Sequence, residues 1–117
     1  MAFHDPKKYV NEKTLDAIAH AFDRPGAVAA QLAAYRGQKF EAFEDLYKTI
    51  EHRALLIWGE EDQVSFVEYG ERLMLDMPHS RLVAIPQCGH MPMIEAPHQL
   101  IRLIKDFLGA SEHDLTK

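Results

Sequence analysis

The sequence holds a single cysteine, Cys88, so it has no internal disulfide and cannot build a thiolate metal centre alone. Its longest continuous apolar run, Ala54 to Trp58, is far short of the about 20 residues that a membrane-crossing helix needs. The opening residues MAFHDPKKYV contain no apolar core of signal-peptide length. Basic charge is also scarce: 13 Lys and Arg face 18 Asp and Glu, for a net charge of -5, and they are scattered rather than clustered. An extended phosphate-binding surface is thereby excluded. These absences lead us to expect a reducing, cytoplasmic setting, with no membrane and no nucleic-acid partner. The histidines His4, His20, His52, His79, His90, His98 and His113 show no ligand spacing with a Cys or carboxylate partner, so no metal or organic cofactor is implied.

What remains is ordinary globular composition: 117 residues, 47% hydrophobic and 26% charged, the size of one modest domain. Residues 1–10, with Asp5-Pro6, read as an irregular lead-in without chemistry. Asn11 is a candidate N-cap for a helix carrying Leu15, Ile18 and Phe22 at three- and four-residue spacing, and His20 falls on its solvent flank. The alanine-rich stretch Ala27 to Gly37 predicts a second helix, with Gly37 as a left-handed C-cap. A third helix is expected over Phe40 to Lys48, with Phe40, Phe43, Leu46 and Tyr47 on its packing side.

The run ALLIW, Ala54 to Trp58, is continuous rather than alternating, which predicts a strand buried on both faces, as in a helix-covered parallel sheet. Ser65 and Glu68 fit a capping box for a helix through Val67, Leu73, Leu75 and Met77. A second short strand, Leu82 to Ile85, ends at Pro86-Gln87-Cys88-Gly89-His90. Pro97 then opens a helix whose expected buried stripe is Leu100, Ile101, Ile104, Phe107 and Leu108, closing at Gly109. Strand, helix, strand, helix with short connections is an α/β pattern with two parallel neighbours. Functional groups in such sheets sit beyond the carboxyl ends of the strands, where Asp62 and His90 both fall.

The phrases LLIWGEEDQV and RLVAIPQCGHMPMIEAPHQLIRLIKDFL resemble the last two strands and following helices of the α/β-hydrolase superfamily. In that family's pattern a strand ends in GxxD, matched here by Gly59, Glu60, Glu61 and Asp62. A later loop reads GHxPxxExP, matched by Gly89, His90, Pro92, Glu95 and Pro97. The resemblance implies a partial α/β-hydrolase fold, with two parallel strands flanked by helices. It implies three parts: 1–39 similar to the end of a helical cap and its following helix, 40–109 similar to the C-terminal core, and 110–117 as a polar tail. It also implies hydrolase activity on an ester or related bond, with Asp62 as triad acid and His90 as triad base, 28 residues apart. Glu60 and Glu61 are alternative acids, and spacing favours Asp62. A Cys88–His90 dyad is disfavoured because a free cysteine is usually a small buried hydrophobe. The alternative for both residues is structural, Asp62 capping a turn and His90 satisfied within a loop.

The superfamily's nucleophile elbow, GxSxG, needs glycines or similarly small residues four positions apart. No two of Gly26, Gly37, Gly59, Gly70, Gly89 and Gly109 have that spacing, and Ser65, Ser80 and Ser111 lie in the wrong contexts. The expectation is a chain inactive alone, serving a small-molecule substrate only when completed, with Leu15, Phe22, Tyr35 and Phe40 as candidate lining residues. The contrasting reading is a non-catalytic fragment or interaction module. Because two strands leave an unpaired edge, self-association or pairing with a polypeptide bearing the missing strands and nucleophile is expected. Size-exclusion chromatography with light scattering should therefore report a species heavier than one chain; an ideal monomer at high concentration contradicts it.

Overall fold

Two strands, Ala54–Gly59 (β1) and Ser80–Ile85 (β2), pair in parallel in a computed structural model that describes residues 2–38 and 43–109. The register sets Leu56 against Leu82, Trp58 against Ala84 and Gly59 against Ile85, so both strands end at the same level. The helix joining them supplies the long crossover that parallel pairing requires.

The helices follow in chain order: α1 (Pro6–Tyr9), α2 (Glu12–Phe22), α3 (Ala27–Gly37), α4 (Glu44–Tyr47), α5 (Val67–Asp76), α6 (Pro92–Glu95) and α7 (Pro97–Gly109). Helix α2 begins as expected, the Asn11 side chain accepting the Thr14 amide at 3.0 Å. Proline opens α1, α6 and α7 at positions where a missing N–H costs nothing. Helix α5 packs on both strands, and α7 packs against β1, with Arg53 seated 5.3 Å from the Phe107 ring centroid. Among the described residues no helix is long and apolar enough to cross a membrane.

Several local expectations are corrected. Residues 6–9 of the lead-in are helical. Gly37 closes α3 inside the helix and the chain leaves through an extended Gln38; the left-handed glycine is Gly26, at φ 82°, which admits the chain to α3. Within the helix expected over Phe40 to Lys48, α4 covers Glu44–Tyr47, and Phe40 lies outside the described residues. No side-chain hydrogen bond caps α5: Phe66 holds the N-cap position, and Ser65 stands one residue outside, its backbone amide and carbonyl bonded to Asp62 and Trp58. Burial differs most. Among the described residues only Met77, Ile85 and Cys88 form a buried apolar core, and of these Ile85 and Cys88 are fully enclosed. Most of β1 and β2 is half-buried, and Ile101, Ile104 and Leu108 of α7 are exposed, as are Leu15, Phe22 and Tyr35. The apolar stripes have formed as patterned, but the elements described are too few to cover them.

Close packing is confined to the carboxyl ends of the strands. A Cβ on Gly59 would overlap the carbonyl oxygen of Gly89 and come within 2.5 Å of that of Cys88. These are backbone atoms that cannot move aside. Gly70 lets α5 approach the sheet, a Cβ there falling 2.9 Å from the Trp58 ring and 3.1 Å from Leu82. Gly59→Ala should lower unfolding stability by about 2 kcal/mol or more in urea titrations. Gly109→Ala, whose Cβ meets nothing within 4 Å, should leave stability within about 1 kcal/mol of the parent.

Candidate active site

At the end of β1 the chain continues its ladder for one more step, the Glu60 amide donating to Ile85 O at 2.9 Å, and then turns. The Glu61 amide donates to Cys88 O at 2.9 Å and the Asp62 amide to Gly59 O at 3.2 Å. The two post-strand loops are thus joined before either reaches its functional residue. Asp62 Oδ1 accepts the amides of Val64 and Ser65, at 2.8 and 2.9 Å, while the Trp58 indole donates to Ser65 O at 2.6 Å. Together these bonds close the loop around a carboxylate that is only 7% exposed.

At the end of β2, Pro86 and Gln87 reverse the chain, Gln87 adopting φ 53°. A left-handed side-chain-bearing residue costs of order 1 kcal/mol and is held only where its surroundings demand it. Here it drops Cys88 into full burial and raises Gly89 and His90 toward the first loop. His90 Nδ1 lies 2.9 Å from Asp62 Oδ2. The buried carboxylate selects the tautomer with a proton on Nδ1, which leaves the Nε2 lone pair available as a base. The His90 side chain is 39% exposed, so the ring reaches from a buried anchor to the surface.

Burial acts to raise the Asp62 pKa; the Ser65 amide, the His90 ring and the Val64 amide outweigh it and hold the carboxyl below its ordinary value near 3.8. The Cys88 thiol is pushed up to about 11 by burial and by the charges of Glu95 and Asp62. A thiol so held is not a nucleophile, and Sγ makes only a 3.7 Å contact with Gly89 O. Of the alternative acids, Glu61 turns to His4, with Oε2 3.7 Å from Nδ1, and Glu60 is exposed. The two structural roles weighed from the sequence coexist with the paired geometry: one oxygen of Asp62 caps a turn and the other meets the ring.

Sequence reasoning missed the lead-in. Ala2 O accepts the His90 amide at 2.6 Å, and the two oxygens of Glu95 accept the amides of Gly89 and His4, at 2.9 and 2.8 Å. Nothing in the local pattern of residues 2–4 marks this contact, because it is made by backbone atoms. Glu95 was visible within the GHxPxxExP phrase, but spacing alone assigns it no partner.

The model of the Alpha/beta hydrolase family matches residues 2–103. The chain belongs to the alpha/beta hydrolase family. Among curated relatives of this alpha/beta hydrolase, the uncharacterized hydrolase YugF of Bacillus subtilis is 32% identical over 105 residues, covering 90% of this chain and 38% of its own length. The 2-hydroxy-6-oxo-2,4-heptadienoate hydrolase of Pseudomonas putida is 30% identical over 113 residues, covering 91% of this chain and 41% of its own. The solved 2-hydroxy-6-oxo-6-phenylhexa-2,4-dienoate hydrolase of Rhodococcus superposes with a TM-score of 0.79 at 17% identity, over 93% of this chain and 41% of that one, a likeness of fold. The α/β architecture read from the two strands is that of the family, and the chain spans 38% and 41% of the two curated relatives.

The lowered Asp62 pKa has a pH consequence. The carboxylate's contribution to stability is complete above about 3.8 and is lost as pH falls from there through the lower folded value. Asp62→Asn should cost about 1–2 kcal/mol at neutral pH and flatten the acid limb below that point. Urea midpoints measured at neutral pH and through the acid range check both. Parallel curves for the two proteins would show that Asp62 is not the group responsible.

Proposed function

We propose that this chain supplies the acid and base of a hydrolase active site for an ester or related bond, acting on a nucleophile carried by polypeptide outside these 117 residues. The 2.9 Å contact between His90 Nδ1 and Asp62 Oδ2 at adjoining strand ends carries the reading. Asp62 holds the ring and stabilises its cationic form; His90 Nε2 removes the proton of the nucleophile and returns it to the leaving group. Supporting this, two curated relatives with about nine-tenths of this chain aligned are both named hydrolases.

The nucleophile is inferred to lie elsewhere because GxSxG does not occur in the sequence. Ser65 serves the Asp62 loop through its amide and carbonyl, and Ser80 Oγ donates to the Met74 and Met77 carbonyls at the start of β2. Exposed apolar residues on α2, α3, α5 and α7, such as Ile18, Leu32, Leu75 and Leu108, support the companion proposal that further strands and helices of the same fold cover this chain. Such cover would exclude water and strengthen the Asp62–His90 pair.

With a nitrophenyl ester, the chain alone should give negligible turnover and no burst. In an assembly that restores turnover, His90→Ala should lower kcat by roughly 10⁴-fold or more without dissociating the assembly. A burst of acyl-enzyme from the chain alone would overturn the borrowed nucleophile. Full activity of the His90→Ala assembly would favour the interaction-module reading.

A further inference from the structure

We propose that Glu95 is the positioning residue for His90, clamping the histidine loop to the segment Ala2–His4, so that this lead-in is a working part of the site. The proposal rests on the reading of His90 as the base. Its observations are separate from those that identify the Asp62–His90 pair.

Glu95 ends α6, a short helix that begins two residues after His90, so its carboxylate folds back over the loop it has just left. Its two oxygens are divided between two segments: Oε1 takes the Gly89 amide at 2.9 Å and Oε2 takes the His4 amide at 2.8 Å. The same segment returns a bond, Ala2 O accepting the His90 amide at 2.6 Å. Both backbone donors that set the direction of His90, those of Gly89 and His90, therefore end on groups outside their own turn. Tyr9 adds a fourth tie, its hydroxyl 3.3 Å from Glu95 O, and its ring stacks on Phe3 at 5.4 Å, which holds the segment in place.

The approach is close enough to exclude a side chain at the junction. A Cβ on Gly89 would fall 2.7 Å from Ala2 O, 2.8 Å from His4 N and 3.0 Å from Glu95 Oε1. An ionised carboxylate is the acceptor suited to two converging N–H groups, since charge-assisted bonds are shorter and about twice as strong as neutral ones. A glutamine in its place would set an NH₂ against one of those donors. With Asp62 gripping the ring and Ala2 gripping the backbone, His90 is fixed at both ends, and the Glu95 carboxylate joins the second grip to the loop.

The test reads the His90 ring itself by NMR. In the unaltered chain, the Nδ1–H resonance should be far downfield and slow to exchange, and the amides of His4, Gly89 and His90 should be protected. Glu95→Ala should abolish the ring resonance and speed exchange at His4 and Gly89 by about tenfold or more, as expected for loss of a bond to a charged acceptor. Glu95→Gln should fall between. Gly89→Ala, which pushes the segment away while keeping the carboxylate, should reproduce the loss. An unchanged ring resonance in Glu95→Ala overturns the proposal, as does exchange at His4 and Gly89 in the unaltered chain as fast as in an unstructured peptide. If Glu95→Ala does not fold, Gly89→Ala and the unaltered chain decide. None of these readouts depends on turnover, so failure of the clamp and failure of the hydrolase reading are told apart: the first shows in the ring and amide signals, the second in an inactive assembly.

Discussion

Both oxygens of the Asp62 carboxylate are engaged, one by the amides of its own turn and one by the imidazole of a loop 28 residues away. A buried carboxylate without such partners would be protonated or would not be buried at all. The turn amides make the anion tolerable, and the anion in turn gives His90 a fixed tautomer. Removing the turn would therefore unsettle the ring as surely as removing the carboxylate. The rest of the well-packed structure serves this point: the equal ends of β1 and β2, the glycine at position 59 that lets two loops touch, and the backbone bonds from Glu60 and Glu61 that join them.

Away from that point the packing is thinner. The apolar stripes of α2, α5 and α7 are correctly placed on their helices yet largely open to solvent. Order at the strand ends comes mainly from hydrogen bonds between loops, which are directional, whereas the wide apolar faces need area that the described residues do not provide. That contrast lets a site hold its geometry on a sheet of two strands. It is also consistent with the chain spanning 38% and 41% of the curated relatives compared.

The proposed hydrolase chemistry and the clamp at Glu95 divide the labour at His90. The ring is governed by one carboxylate and the backbone by another, on opposite sides of the residue in sequence. Cys88 is fully buried, and that burial, with the charges of Glu95 and Asp62 added, holds its thiol pKa up. It serves as packing under the loop.

Much of this was legible before any coordinates. The apolar runs at Ala54 and Leu82, the proline at 97 and the Asn11 cap identify their elements because each depends on short-range backbone preference or side-chain period. Asp62 and His90 were nameable for the same reason, since a strand end followed by a glycine turn is a local pattern. Other features depended on partners distant in the chain. Ser65 fits a capping box by spacing, yet α5 starts one residue later with Phe66 at its N-cap, and the Ser65 backbone is tied to Asp62 and Trp58 instead. Gly26 rather than Gly37 took the left-handed conformation because α3 ends without a reversal. By itself the sequence determined the α/β order and placed Asp62 and His90 just beyond the two strands, properties of residues within a few positions of one another. Only the tertiary structure decided that Asp62 meets His90 rather than Glu61 or Glu60 doing so, that Glu95 reaches back to residue 4, and that the lead-in closes the histidine loop. Those contacts join segments 28 and 91 residues apart, and no local pattern encodes the distance between them.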